Sequence, residues 1–211
     1  MEGKSVIILG AKGLGKVALD IFNQGNVVTY CFLDDDEELH NTEVEGVMVL
    51  GSTDDEGLLK YINQDCNVFI ASDDMNYKRS IVEMLLEEWK VMPINAIHPQ
   101  AKVSELAYLG YGNFVNAGVF VNAGAKLNNH CLIHSNSLID FDAVIEDFVQ
   151  IGAGTIVNSG VTVGEGAFVG SGVTIVSGIK IGAGARIGAG SVVIENVAEG
   201  ATVFGNPAKK M

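Results

Sequence analysis

Residues 151–193 read IGAGTIVNSGVTVGEGAFVGSGVTIVSGIKIGAGARIGAGSVV, with an aliphatic residue at every sixth place. Followed backwards, the beat runs without exception from Ile97 to Val193, 17 positions of Ile, Val or Leu. Four residues after each comes mostly Ala, Ser, Thr, Val or Cys. A hexapeptide period is the mark of a parallel β-helix. Each hexad supplies a short strand and a turn, and three hexads close a triangular coil with the aliphatic residue pointing inward. Coils stack about 4.8 Å apart, so about five of them form a prism about 25 Å tall. Small residues at the fifth place let the corners close, and Gly or Asn at the second place is expected to carry a positive φ. One coil cannot bury its own face, so the array stands or falls together.

Upstream the grammar differs. SVIIL (5–9), VVTYCFL (27–33) and NVFIA (67–71) read as strands, and residues 16–24, 55–63 and 77–89 read as helices. Strand and helix in alternation predict a small parallel α/β sheet. The expected organisation is an α/β N-terminal Rossmann-like domain over 1–95, then an all-β left-handed parallel β-helix with a C-terminal tail over 96–211.

Composition narrows the partners. A net charge of −13 argues against nucleic acid or an anionic membrane as the main partner, because phosphate backbones need clustered Lys and Arg. Basic residues do gather locally, at Lys12 and Lys16 and at Lys180, Arg186, Lys209 and Lys210. Three cysteines, Cys31, Cys66 and Cys131, share no ligand spacing, so neither a disulfide framework nor a metal site is expected. No apolar run is long enough to act as a signal sequence or to insert into a membrane, and the expected location is cytoplasmic.

Gly10, Gly13 and Gly15 follow the first strand and open the first helix, where backbone N–H groups can face a phosphate. Asp34 falls about 20 residues on, the place of a ribose ligand in a dinucleotide fold. A tight βα turn without any ligand would use the same glycines.

Four landmarks in order carry a resemblance across nearly the whole chain: IILGAKGLG (7–15), FLDDD (32–36), IHPQAKV (97–103) and VFGNPAKK (203–210). With the hexads, they resemble bacterial sugar acyltransferases of the hexapeptide-repeat superfamily, the group of sialic acid O-acetyltransferases and nucleotide-sugar N-acetyltransferases. The resemblance implies a homotrimer that moves an acetyl group from acetyl-CoA to a nucleotide-sugar acceptor in glycan synthesis, without a metal. It implies that Gly10, Lys12, Gly13, Gly15, Asp34 and Asp35 hold the nucleotide, with Arg79 as a further phosphate contact. The CoA arm is expected in a groove between subunits. Gln150, Gly152, Gly154, Ser159, Gly160 and Gly170 would line it, their exposed backbone groups pairing with the pantetheine amides. Lys180, Arg186, Lys209 and Lys210 would meet the adenosine phosphates, and the N–H groups near Ser159 and Gly160 would hold the oxyanion.

At the chemistry the chain departs from this family. Where the family pattern is carboxylate, His, carboxylate, this sequence has Asp140, Phe141, Asp142, and a second family His is matched by Gln150. Three readings follow. The base has moved to His134, oriented by Asp142, if neighbouring chains bring the two into one groove. Or the reaction runs without a strong base, with water held by Gln150 and Ser135, which suits a sugar amine better than a hydroxyl. Or the chain only binds a nucleotide sugar or scaffolds a trimer. A metal hydratase on the same β-helix would need three converging His, and only His130 and His134 lie well inside the repeat.

Overall fold

The computed structural model describes residues 4–62 and 64–210, in two compact units, 1–99 and 100–211. The division falls at Pro99, against the change of period expected after residue 95.

In the first unit, β1 (Ser5–Leu9) leads through α1 (Leu14–Gln24) to β2 (Thr29–Leu33). A hairpin follows, β3 (Glu43–Val44) and β4 (Val47–Gly51), then α2 (Glu56–Leu59), β5 (Cys66–Ile70) and α3 (Met75–Glu87). The sheet order is β3-β4-β2-β1-β5, parallel except for the hairpin. Strand β1 is buried from Val6 to Leu9 and β5, at the sheet's edge, from Val68 to Ile70. That burial explains their unbroken apolar runs. Helix α1 buries Gly15, Ala18, Leu19, Ile21 and Phe22, the spacing of one helical face, and Phe22 meets Phe69 edge-on at 5.7 Å.

Three expectations shift here. Helix α1 begins at Leu14, two residues earlier than its periodicity suggested, because Gly13 turns the chain directly into it. The second helix keeps only Glu56–Leu59 of the expected 55–63, whose residue 63 lies outside the described residues. Strand β4 was not foreseen: its hairpin turns on Glu45 and Gly46, both at positive φ, and Glu-Gly lacks the Asn-Gly or Asp-Gly signature of such turns.

The second unit is the left-handed β-helix. Its short strands stack in three sheets, each pairing in parallel with the one 18 residues later, as in Leu132 with Gln150 and Ile133 with Ile151, until the last coil, where Arg186 pairs with Thr202 and the closing strand Lys209–Lys210 runs antiparallel. Sheet one carries the strands at 102–103, 120–121, 138–139, 156–157, 174–175 and 192–193. Sheet two carries those at 108–109, 126–127, 144–145, 162–163 and 180–181, and sheet three those at 114–115, 132–133, 150–151, 168–169, 186–187 and 202–204. The every-sixth aliphatics from Val115 to Val193 fill the prism. Val103 and Leu109 are partly buried, and Ile97, at 36% exposure, is the exception. Fifth-place Ser137 and Thr155 are buried but satisfied, their hydroxyls donating to the carbonyls of Gly152 and Gly170 in the next coil at 3.0 and 2.9 Å.

The expected role of the second place is corrected. Positive φ falls at the fourth place of the hexad, at Gly112, Gly118 and Gly124 and again from Gly154 to Gly190. Second-place glycines answer to contact instead: a Cβ on Gly152 would stand 2.4 Å from the Ser171 nitrogen of the next coil. Over four successive hexads the fourth place is not glycine at all. His130, Asn136, Asp142 and Phe148 all take φ near +60°, and the His130 ring stacks on Phe148 at 4.9 Å.

The three cysteines are free and buried. Burial pushes the Cys31 thiol up to about 12, so it stays protonated and inert. No helix among the described residues is long and apolar enough to cross a membrane.

Candidate functional site

Each unit presents one candidate surface. In the first, the carboxyl ends of β1, β2 and β5 open a cleft of about 370 Å³ lined by Gly10, Lys12, Gly13, Leu14, Asp34, Asp35, Ala71, Ser72, Asp73 and Tyr77. This is the usual place for a ligand in an open α/β sheet. Two glycines are required by contact: a Cβ on Gly15 would sit 2.1 Å from the Gly10 carbonyl, and one on Gly10 2.6 Å from that of Ala71. Gly13 meets nothing within 4 Å but has φ +43°, and as N-cap of α1 it offers no side-chain acceptor. The first amides of α1 therefore lack a side-chain cap, the arrangement that receives an anion.

Protein donors engage both predicted carboxylates. Asp34 accepts the Ala11 N–H at 2.8 Å and the Asp36 N–H at 3.0 Å, which ties the glycine loop to the end of β2. Asp35 accepts the Thr53 N–H and hydroxyl at 2.9 and 2.7 Å and the Tyr77 hydroxyl at 2.9 Å. Burial alone would raise the Asp35 carboxyl, but those three donors outweigh it and hold it below the usual carboxylate range. Burial, with Asp35 beside it, pushes the Tyr77 phenol up to about 12.

The basic cluster expected beside the loop is neutralised. Lys12 pairs with Asp36, whose hydrogen bond and charge raise the ammonium's pKa, and Lys16 pairs with Glu45 at 3.2 Å. Arg79 stands on α3 outside the cleft lining. Sequence reasoning missed Thr53, Tyr77 and Asp73. Tyr77 sits in the first turn of a helix and Thr53 in a turn, and neither position carries a motif.

In the prism, the candidates occupy different corners. Residues 134–137 turn between sheets three and one, and residues 140–143 between sheets one and two. Within one chain His134 and Asp142 thus belong to separate corners. The Asp142 carboxylate lies over Gly124 of the preceding coil, and Asp140 accepts the Asn122 amide and the Phe141 N–H, both at 2.8 Å. Phe141 is 52% exposed. His134 is half-buried: its ring tilts against Phe114 at 5.8 Å between centroids, and its Nε2 lies 3.5 Å from the Gln150 amide nitrogen.

The expectation that groove glycines offer open N–H groups is corrected. Gly152, Gly154, Gly160 and Gly170 donate to Val169, Ser135, Phe141 and Ile187, respectively, in the ladder between coils. Gly160 is therefore removed as an oxyanion donor. The ladder uses second-, fourth- and sixth-place amides and passes over the third place, where Ser135, Ala153 and Ser159 stand. Those turn amides fit a ligand carbonyl, and Ser159 keeps its candidacy. Its hydroxyl donates to that of Ser177 at 3.1 Å. Lys180 is exposed on sheet two. Arg186 covers Phe168 at 4.8 Å on sheet three, and Lys209 and Lys210 are exposed on the closing strand. One chain supplies these as separate edges. No group of His, Cys, Asp and Glu suited to a metal occurs among the described residues.

A profile of the PglD N-terminal domain matches residues 5–85, and that of the bacterial transferase hexapeptide repeat matches 142–177 and 164–195. No curated protein sequence matches the chain. Among solved structures, a point mutant of perosamine N-acetyltransferase from Caulobacter crescentus, in complex with CoA and GDP-perosamine, superposes with a TM-score of 0.89 at 29% identity. The match covers 98% of this chain and 96% of that one. The acetyltransferase domain of PglB from Neisseria gonorrhoeae, in complex with acetyl coenzyme A, gives 0.89 at 27% identity over 99% and 100%. WeeI from Acinetobacter baumannii shares the fold, with a TM-score of 0.77 at 23% identity over 98% and 99%.

Proposed function

The chain joins a PglD N-terminal domain to a bacterial-transferase hexapeptide repeat, and on that premise we propose that it is an acetyl-CoA-dependent acetyltransferase acting on a nucleotide-linked amino sugar. The observation that carries this is the likeness, over 98% of the chain, to an N-acetyltransferase holding both CoA and a nucleotide amino sugar. The working form is a trimer, its active sites in the grooves between subunits and its place the cytoplasm, where the thioester donor is available. An apolar stripe along sheet one supports the assembly: Phe120 and Ile156 are 50% and 39% exposed, with Leu138 between them.

The cleft of the first unit receives the nucleotide. The uncapped amides of α1 and the glycine loop take the diphosphate, while Asp34 and Asp35 hold the cleft wall in shape. Along the prism, third-place amides meet the donor's carbonyl groups, and Lys180, Lys209 and Lys210 meet its phosphates. The acceptor amine attacks the thioester carbonyl, the Ser159 N–H stabilises the oxyanion, and the CoA thiolate leaves.

Phe141 stands where the family's base is expected and cannot accept a proton. We place that role on His134, whose ring is half-buried beside Gln150. An amine, partly neutral near pH 7, makes this substitution tolerable where a hydroxyl would not, so the reading is N-acylation rather than O-acylation. The exposed Phe141 favours one second reading, a trimer that binds the nucleotide sugar without turnover.

The test is release of CoA thiol from acetyl-CoA by the purified protein over a panel of nucleotide-linked 4-amino sugars. Turnover with at least one is expected. Tight acceptor binding without turnover overturns the enzyme in favour of the binding module.

A further inference from the structure

Among the described residues that line the first-unit cleft, Lys12 alone is basic, against the three acids Asp34, Asp35 and Asp73. A diphosphate that settles on the glycine loop brings further negative charge into that company. The one cation is already committed: its ammonium donates to Asp36 Oδ2, and Asp34 and Glu38 add weaker attraction. Both partners stand on fixed backbone. The Lys12 carbonyl accepts the Gly15 N–H at 2.7 Å, and Asp34 Oδ2 holds the neighbouring Ala11 N–H at 2.8 Å. Asp34 Oδ1 holds the Asp36 N–H at 3.0 Å. Asp36 Oδ1 in turn caps the short 3₁₀ turn Glu37–Leu39 through the Glu38 N–H, also at 3.0 Å. Oδ2 is the oxygen left over, and it takes the lysine.

The two side chains differ in freedom. Asp36 is tethered by its cap, while Lys12 swings on a long flexible stem with 63% of its side chain exposed. An ion pair this open adds little to folding, because water screens it and holding a long side chain costs entropy. It is therefore easily broken, and the ammonium can turn to other oxygens beside its own loop without any movement of the backbone. A diphosphate on that loop offers such oxygens with more charge than one carboxylate. Lys16 makes the contrast. It pairs with Glu45 at 3.2 Å but lies outside the cleft lining, so freeing it gains nothing there.

We propose that Lys12 is a phosphate ligand held in reserve by Asp36, and that the cleft binds a nucleoside diphosphate by exchange of the ammonium from the carboxylate to the diphosphate. This rests on the cleft being the nucleotide site, as read above. Asp36 then acts as a built-in competitor. It keeps Lys12 charged and close to the loop, and it weakens the ligand's hold by the strength of the pair that must be broken. No covalent bond changes, and Asp36 passes to solvent as the diphosphate takes its cation.

Calorimetric titration of the full chain with GDP, UDP and dTDP picks the tightest-binding of the three as the probe. Asp36→Asn removes the competitor and keeps the cap, since Asn serves an N-cap as well as Asp does. Asp36→Ser does the same should the first variant fold poorly, and far-UV circular dichroism checks both. Asp36→Asn is expected to tighten the probe about 2- to 5-fold, and Lys12→Ala to loosen it about 10-fold. In the Lys12→Ala background, Asp36→Asn should change the affinity by less than about 2-fold, because the exchange has lost its cation. Glu45→Gln removes an equal charge beside Lys16, and its effect should also stay within about 2-fold.

Each failure reads differently. Equal tightening in Asp36→Asn and Glu45→Gln, or tightening that survives in Lys12→Ala, reduces the effect to overall charge and overturns the exchange. Unchanged or looser binding in Asp36→Asn overturns it too, since Asp36 is then no competitor. In all these cases the probe still binds and the nucleotide site stands. A chain that binds none of the three diphosphates, in any variant, overturns the site and the exchange together.

Discussion

The Tyr77 hydroxyl donates to Asp35 Oδ2 at 2.9 Å, joining the first turn of α3 to the end of β2 across the cleft. The same hydroxyl lies 3.0 Å from that of Thr53, which itself donates to Asp35 Oδ1. The three form a closed polar cluster whose geometry shapes the cleft wall. Tyr77→Phe removes one donor from a carboxylate that keeps two others. The expected cost is about 0.5–1.5 kcal/mol of stability, together with a weaker hold on the nucleotide sugar, read by thermal unfolding and by calorimetric titration.

The same cluster gives stability a pH signature. The Tyr77 phenol is raised in the folded chain, so its contribution is complete below the ordinary tyrosine range and is lost as pH climbs from about 10 towards about 12. Asp35 is depressed, so its contribution is present above the ordinary aspartate range and is lost as pH falls below it. Thermal unfolding followed against pH should show both limbs. The alkaline one should shrink in Tyr77→Phe, and an unchanged alkaline limb would contradict this assignment.

The glycine loop should respond unequally to alanine. Gly15→Ala places a methyl 2.1 Å from a backbone carbonyl, and Gly10→Ala adds a contact of 2.6 Å to φ +104°, so both should destabilise the first unit by several kcal/mol and abolish nucleotide-sugar binding. Gly13→Ala meets open space and carries only the strain of its positive φ, about 1–3 kcal/mol. Differential scanning calorimetry of the three variants ranks them.

His134→Ala should lower kcat by about 10²–10⁴-fold with little change in acceptor KM. Adding Phe141→His to that variant should recover part of the loss, because the exposed corner accepts a polar ring at a folding cost within about 0.5 kcal/mol. Steady-state kinetics of the single and double variants decide it. Full activity in His134→Ala would remove this residue from the chemistry.

Inward and outward aliphatics should separate folding from assembly. Ile145→Ala opens the prism interior and should cost about 2–5 kcal/mol. Ile156→Glu changes an exposed residue of sheet one and should leave the secondary structure intact while dissociating the proposed trimer. Light scattering after size exclusion reads the second effect, and an unchanged mass would move the interface to another face.

How much of this was readable beforehand differs between the units. The prism was legible nearly whole, because burying one side chain in six is a property of a single strand of text and Val115 through Val193 display it unaided. The α/β unit was legible in SVIIL and in the glycine loop, and much less so in β4, whose hairpin turns on Glu45 and Gly46. Thr53 and Tyr77 could not be read as partners of Asp35, since residues 18 and 42 positions away along the chain meet it only after the sheet has formed.

From the order of residues alone came the period, the prism and its filling, the α/β layer ahead of it, and the oddity of Phe141. All of these follow from local propensity and from which side chains shun water. Folding in three dimensions settled which amides remain open, which corner holds His134 and which Asp142, and how Lys12, Asp34 and Asp35 use their charges. Each of these depends on atoms from a neighbouring coil or strand. A hydrogen bond satisfied from 18 residues away leaves no trace in the residues beside it.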